Sequence, residues 1–353
     1  MSEVNSGLFD ALKLLKGRRE RLLASPDYCK KRASVAIVIG WKLRGSSSIN
    51  HKVEPVSSLD ELARQDWLAE AEPHMLFIKR ASRSGDRWTA HVALPGGKRE
   101  ADETDEAAAR RETLEEVGLD LTNDNALHIG SLDQREVKTS FNTHMLMTLC
   151  SYVYVLKQPG LPVPVIQPTE VASAHWVSLD NLQSLASRTV EYVDVSTRLA
   201  RQGGWLAEKL ATPMFGRMRF AAIKLDPTKS VPEGSANGIN LLCWGLTLSV
   251  LTDFLDLIPP HTSIATWQFP TFGAWDLRVV LYLMTRRARQ AARQIKRATL
   301  THDADMDWVG VAIREYYSAV RPAIVVTLGL RVGVLGSLIY AWRKGFFSRR
   351  IAA

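Results

Sequence analysis

At 353 residues the chain exceeds one ordinary domain of about 100–200 residues. Its net charge of +8 is unevenly placed: Arg278–Arg297 carries seven basic residues and Arg343–Arg350 four, with no acid in either stretch. The remainder is slightly acidic and shows no basic stretch interleaved with aromatics, which argues against a nucleic-acid surface on it. The three cysteines, Cys29, Cys150 and Cys243, are far apart and show neither a disulfide framework nor metal spacing, so a reducing compartment is expected.

Gly7–Leu23 reads as an amphipathic helix, with Leu8, Leu12, Leu15, Leu22 and Leu23 among its apolar positions. Asp10 and Glu20 argue against a mitochondrial transit peptide, and no long apolar run suggests a secretory signal. Val35–Ile39 and Met75–Ile78 read as buried strands, separated by the loop-like Gly45–Ser48. Val92–Leu94 leads through Pro95 and Gly96 into the most informative stretch, Gly97–Leu119. Eight of its 23 residues are acidic. Ala107, Ala108 and Ala109 favour a helix, and nothing breaks it before Gly118, which suits the left-handed position past a helix end. On that helix Glu112, Glu115 and Glu116 stand at i, i+3 and i+4, on one face. Packed carboxylates repel unless a cation neutralises them, and a hard divalent ion such as Mg²⁺ prefers oxygen ligands.

The spacing of Gly97, Glu103, Arg111, Glu112, Glu115, Glu116, Gly118 and Leu119 resembles the box of the Nudix hydrolase family. Thr113 departs from it, standing where the family has a bulky aliphatic residue. The resemblance implies an α/β fold, an α/β/α sandwich with a mixed sheet. It also implies hydrolysis of a nucleoside diphosphate linked to another group, with Mg²⁺ as cofactor and Mn²⁺ as its alternative. Glu112, Glu116 and Glu115 would be the metal ligands, and Arg111 would orient a glutamate. The catalytic set would be Glu115, Arg111 and Glu170, with Glu170 from a later segment competing with a box glutamate for the role of base. A salt-bridge or turn role is the other reading of Glu170. Gly96 and Gly97 would let backbone approach the ligand or helix, and Lys79, Arg80 and Arg83 would meet phosphate. The alternative is a non-catalytic module that binds a nucleotide or a protein.

A narrower likeness runs from Leu76–Ala81 to Leu94–Gly97 and on to Trp244-Gly245-Leu246-Thr247. It is similar to the coenzyme A diphosphatase branch, although the loop Ser82–Ala90 does not keep that branch's spacing and His91 sits near an expected glycine. It makes coenzyme A or a derivative the leading substrate. A core aromatic is the plain alternative for Trp244.

Ala126–Leu132, His144–Leu156 and Glu170–Val177 read as further strands, Ser178–Leu182 as a helix start, and Pro159–Pro168 and Asp226–Gly238 as loops. Residues 1–32 form an N-terminal extension, 33–258 the catalytic domain, 259–321 a linker with basic helices, 322–342 a candidate membrane span and 343–353 a basic tail. Leu277–Arg297 should be helical, apolar first and basic after, suited to an anionic membrane surface or to packing on the domain.

Pro322–Trp342 would extend about 31 Å as a helix, close to a bilayer's hydrocarbon thickness. Its ten Leu, Ile and Val residues favour insertion by about 3–6 kcal/mol, against about 2.5–3.5 kcal/mol for Arg331, so insertion is marginal and a buried helix is the alternative to a membrane anchor. Tyr340, Trp342, Arg343 and Lys344 resemble interfacial anchors. Gly329 and Gly333 would let two such helices approach, so a homodimer is a candidate partner besides the membrane. The expected location is a membrane, held by this C-terminal anchor with the catalytic domain in the cytosol. Cytoplasmic, mitochondrial or peroxisomal placement is the alternative.

Overall fold

The computed structural model describes residues 3–44, 54–83, 88–138, 144–194, 214, 216–259, 261, 269–287, 289–290 and 308–351. The expected loop Gly45–Ser48 and residues 291–297 of the helix expected to run to Arg297 lie outside these residues, and the described part of that helix is interrupted at Thr285.

Helix α1 (Glu3–Gly17) precedes strand β1 (Arg32–Leu43), short helix α2 (Leu59–Ala63), β2 (Ala71–Arg80), β3 (Val92–Ala93) and β4 (Gly96–Lys98). Helix α3 (Asp105–Val117), β5 (Ala126–Lys138), β6 (Met145–Leu156), β7 (Val171–Ser178) and α4 (Leu179–Gln183) follow. Then come β8 (Arg188–Val193), β9 (Met218–Lys224), β10 (Pro227–Val231), β11 (Leu242–Trp244) and α5 (Gly245–Leu255). The described chain closes with β12 (Thr271–Phe272), α6 (Trp275–Met284) and the long α7 (Trp308–Ile351).

The main sheet is ordered β10-β7-β2-β1-β6-β5, with β3 beside β2 and β4 beside β1. It is mixed: β1 and β6 run parallel, whereas β1 and β2 are antiparallel. β1 shows why both faces must be covered. Ala36 and Val38 join the core beneath α3, while Ile37, Ile39 and Trp41 join the core on the other face. Such an apolar run, without polar alternation, belongs to a strand buried on both sides. Ala109 and Val117 of α3 cover one face. Leu8 and Leu12 of α1, Leu62 of α2 and Leu251 and Phe254 of α5 cover the other. The expected α/β/α layering is present, with the C-terminal helix α7 beyond it.

Three local expectations need correction. The N-terminal helix runs Glu3–Gly17, not Gly7–Leu23, and Leu22 is exposed. Beyond the helix end two backbone donors are taken by side chains on β5: Arg21 N–H donates to Asp133 and Leu23 N–H to Gln134, each at 2.9 Å. The helix expected from Gly97 starts at Asp105, where the Thr104 hydroxyl accepts from Ala107 N–H at 3.1 Å. Residues Gly96–Lys98 pair with β1 instead. Within the expected loop Asp226–Gly238, Pro227–Val231 forms edge strand β10 against β7. Pro227 opens that strand, where a missing N–H is tolerated.

A second sheet was not legible from the sequence pattern. β9 pairs with β8, β11 and β12, so β12 crosses the boundary expected at residue 259. Met218 and Phe272 of this sheet, Leu277 and Leu281 of α6, and Tyr316, Val320 and Ala323 of α7 form a separate buried cluster.

Two buried polar arrangements hold the main layers in register. Arg135 of β5 donates to Asp253 and Ser249, both on α5, and the Arg135 and Asp253 side chains are 5% and 0% exposed. Removing one partner of a buried pair strands the other's charge, so Asp253→Ala should cost about 3–5 kcal/mol in urea unfolding. On β7, the buried ring of His175 bonds Ser173 and Ser230 at 2.8 Å each, tying β10 to the sheet. Burial lowers its pKa from the ordinary 6.5 to about 4. The folded state therefore resists protonation, and His175 erodes stability as pH falls from 6.5 towards 4. Unfolding free energies at pH 7 and pH 4 should show a smaller acid loss in His175→Asn than in the parent chain.

Candidate functional site

The site grows out of a close approach between α3 and strands β4 and β1. Arg32 of β1 bonds Asp105 in the first turn of α3, through Nη2 at 2.7 Å and Nε at 2.9 Å. A carboxylate in a first turn also suits the helix dipole. Thr113 is fully buried beneath the helix, and its hydroxyl donates to the Ala109 carbonyl at 2.7 Å. The polar atom that departs from the box pattern is thus satisfied within the helix itself.

Two glycines permit the approach. A Cβ on Gly97 would lie 2.4 Å from the Glu112 carboxyl, and one on Gly96 would lie 2.2 Å from the Ser34 carbonyl oxygen. Gly96 also has a φ of 147°, which disfavours any side chain. Its N–H donates to Glu116 Oε2 at 2.8 Å.

At the other end, α3 stops at Gly118, whose φ of 67° and ψ of 17° are left-handed, as expected. The segment after Gly160 then lies along the last turn. Val165 N–H donates to the Val117 carbonyl at 2.8 Å and Gln167 N–H to the Glu116 carbonyl at 3.0 Å. Glu170 N–H bonds the Gln167 carbonyl at 2.9 Å, and Ala81 N–H, just past β2, bonds the Glu170 carbonyl at 2.8 Å. These bonds deliver Glu170 to the helix.

The result is a cluster of Glu112, Glu116 and Glu170, with one carboxylate oxygen from each within 4.8 Å of the others. Glu116 is 2% exposed. Burial, and then the neighbouring Glu112 and Glu170, push its pKa up to about 8 against the Gly96 N–H and Arg80. Burial likewise raises Glu112, with Arg111 opposing.

Arg111 is a hub. It donates to Glu103 at 2.8 and 3.1 Å, to Glu115 at 2.9 Å and to the Lys98 carbonyl at 3.2 Å, and it lies 3.0 Å from Glu112. Its guanidinium holds Glu103 below the usual carboxylate range. Glu103 also accepts from Glu100 N–H at 2.8 Å, closing the loop before α3. Glu115 stands on the same helix, but its side chain is 55% exposed and paired with Arg111. It is not one of the three that converge.

The basic candidates separate by strand alternation. Arg80 follows Ile78 on the α3 face, and its charge opposes the raised pKa of Glu116. Lys79 follows Phe77 on the opposite face, where its charge acts on His175. Arg83 bonds the Thr169 carbonyl at 2.6 and 2.9 Å and Glu170 at 3.0 Å, so it holds the carboxylate from the later segment. Neither the Arg83–Glu170 pair nor the convergence of Glu170 has a signal in local spacing, because both depend on the path of the chain past Gly118.

The Trp244–Thr247 tetrapeptide ties α5 to the strand entering the box. Thr247 donates to the Val92 carbonyl at 3.1 Å, and the half-buried Trp244 packs on His91 with centroids 4.8 Å apart.

Residues 67–196 match the NUDIX domain family. An uncharacterized protein of Schizosaccharomyces pombe is 30% identical over 335 residues, covering 92% of this chain and 93% of its own. The chain belongs to the Nudix hydrolase family. Among solved structures, it is similar to a MutT/nudix family protein from Enterococcus faecalis, with 14% identity and a TM-score of 0.29 over 54% of this chain and 60% of that one. It is also similar to a bifunctional NMN adenylyltransferase/ADP ribose pyrophosphatase from Francisella tularensis, with 20% identity and a TM-score of 0.28 over 50% and 39%. The chain spans less than two thirds of either solved protein. The NUDIX match begins at residue 67, yet β1 of this Nudix fold lies earlier and pairs with β2, β4 and β6.

Gly97 offers a direct test of the geometry. Gly97→Ala should displace the Glu112 carboxylate and weaken Mn²⁺ binding about 10- to 100-fold by calorimetry. Unchanged affinity would remove Glu112 from the ligands expected of the box.

Proposed function

We propose that this Nudix protein hydrolyses the pyrophosphate bond of a nucleoside diphosphate linked to another group, with coenzyme A or a derivative as the leading substrate. The observation that carries the reading is the convergence of Glu112, Glu116 and Glu170 within 4.8 Å. The donor set fits a hard divalent ion: it offers only carboxylate oxygens, and one is buried with too little positive charge around it to ionise readily. Glu112 and Glu116 would hold Mg²⁺, or Mn²⁺ in its place. When bound, the ion neutralises diphosphate charge and orients the bridge.

The chain's own residues do the rest. Glu170 accepts the proton of the water that attacks phosphorus, and Arg83 keeps its carboxylate turned to the cluster. Arg111 holds the loop before α3 and steadies Glu112 through a charge-assisted contact. Glu115 serves by pairing with Arg111, since its exposed carboxylate stands apart from the cluster. Gly96 and Gly97 keep side chains out of the space beside the box, and Arg80 faces the substrate phosphates. Lys79 has no contact role here, because it belongs to the opposite face of the sheet. The coenzyme A preference rests on the Trp244–Thr247 tetrapeptide and its contact with β3.

The purified chain should be assayed with Mg²⁺ against coenzyme A, ADP-ribose, NADH and dinucleoside polyphosphates, with product identification. Glu116→Gln should lose about 100-fold in rate together with metal affinity. Glu170→Gln should lose about 100- to 10,000-fold in rate while still binding Mn²⁺. Full activity in Glu116→Gln would refute the ligand assignment, and no turnover of any substrate would favour a binding module.

We also infer attachment to a membrane through α7, with the catalytic domain on the cytosolic side. Tyr316–Lys344 is a 29-residue helical stretch whose most apolar 18 residues have a mean hydropathy of 1.9, and most of those 18 lie outside the protein core.

A further inference from the structure

The expected span is not free along its length. On the N-terminal half of α7, Tyr316, Val320, Ala323 and Thr327 are buried, three of them in the cluster with Met218, Phe272 and α6. Their spacing of three or four residues marks one docked face. Arg331 continues that face. It donates to both carboxylate oxygens of Asp276, at the start of α6, at 2.6 and 2.9 Å, and to the Met214 carbonyl at 2.8 Å.

Beyond this clasp every residue from Val332 to Lys344 is exposed, and none from Val332 to Trp342 is charged. Those 11 residues reach about 16 Å as a helix, roughly half of a 30 Å hydrocarbon core. Crossing with α7 docked would also draw Met214 and the bend at Gly273 into hydrocarbon, where backbone groups lack water.

α6 is apolar on its outer side as well. Val279, Tyr282 and Leu283 are 51%, 56% and 61% exposed. Large exposed apolar surfaces of this kind mark an interaction site. Charge selects its occupant. From Tyr316 to Ile351 there are six basic residues and no acid, and the lone acid of α6, Asp276, is already paired with Arg331. Arg343 and Lys344 can extend their stems along lipid and keep their ends among headgroups.

We infer that α6 and α7 together attach the protein to one leaflet of an anionic bilayer without crossing it. Both ends of α7 then lie on the side of the catalytic domain, and the Arg331–Asp276 clasp fixes the domain against the lipid surface. This inference rests on the membrane attachment proposed above and specifies its geometry.

The test uses the full chain in two measurements. The first is flotation with phosphatidylcholine vesicles, with and without phosphatidylserine. The parent chain should float, more so with phosphatidylserine, and Val279→Asp with Leu283→Asp should lower the bound fraction at least about fivefold. Both positions are exposed, so folding should survive the change. Equal flotation of the variant would exclude α6 from the contact. A concentration-dependent dimer that ignores vesicles would assign the flank to a second copy and overturn the lipid reading.

The second measurement labels sealed membranes from expressing cells with an impermeant maleimide. The natural Cys29, Cys150 and Cys243 are buried. A Ser348→Cys chain should therefore be labelled from the same side as a Tyr28→Cys chain, whose site is 80% exposed. Protection of Ser348→Cys until detergent is added would show a crossing helix and overturn the one-leaflet geometry. Failure of the parent chain to bind vesicles or membranes at all would remove the attachment itself.

Discussion

The site depends on one constraint: a helix carrying acidic side chains must lie almost in contact with two adjacent glycines. Where Gly97 runs beneath Glu112, no Cβ fits. That contact removes water from Glu112 and Glu116, and water is what ordinarily keeps carboxylates ionised. The Gly96 N–H and the guanidinium groups nearby return only part of the lost solvation, so both carboxyls titrate above their usual range. A site short of positive charge, lined by oxygen atoms and next to a basic strand end, is suited to a cation and a polyanion together. The Arg32–Asp105 pair ties the first turn of α3 to β1.

Much of this was readable from local sequence because it follows from short-range geometry. Three- and four-residue spacing placed Glu112, Glu115 and Glu116 on one face, and Gly118 marked the helix end through the conformation only glycine adopts readily. Apolar runs marked β1, β2, β6 and β7. Spacing could not say which of three neighbouring carboxylates would be drawn inward. Glu115 lies one position from Glu116 yet turns to solvent and Arg111, because the deciding contact is with β4 across the sheet. Glu170 comes from a different segment, and its arrival depends on hydrogen bonds that a one-dimensional pattern does not encode.

The additions outside the layered core were harder to read for a related reason. Helix α1 is amphipathic by inspection, but its place as a wall of the core follows from the packing of Phe9 on Trp41, 5.9 Å apart and nearly parallel. The second sheet is built from short strands with mixed burial, so no period-two signal stands out. Its β12 pairs only two residues with β9. Arg331 entered the hydropathy sum as an unfavourable charge inside a span. Its partner, Asp276, lies on another helix, and the pairing changes which part of α7 is available to lipid.

The backbone bonds from Val165 and Gln167 to the final carbonyls of α3 have an evolutionary corollary. They make the connection downstream of Val165 part of the helix end, so the third carboxylate travels as a rigid appendage of the segment bearing the other two. A change in length ahead of Val165 would strain that stretch's own ties to the sheet, such as Trp176 Nε1–H to the Pro162 carbonyl at 3.0 Å. One residue gained or lost between Gln167 and Glu170 would instead swing the carboxylate off the α3 face.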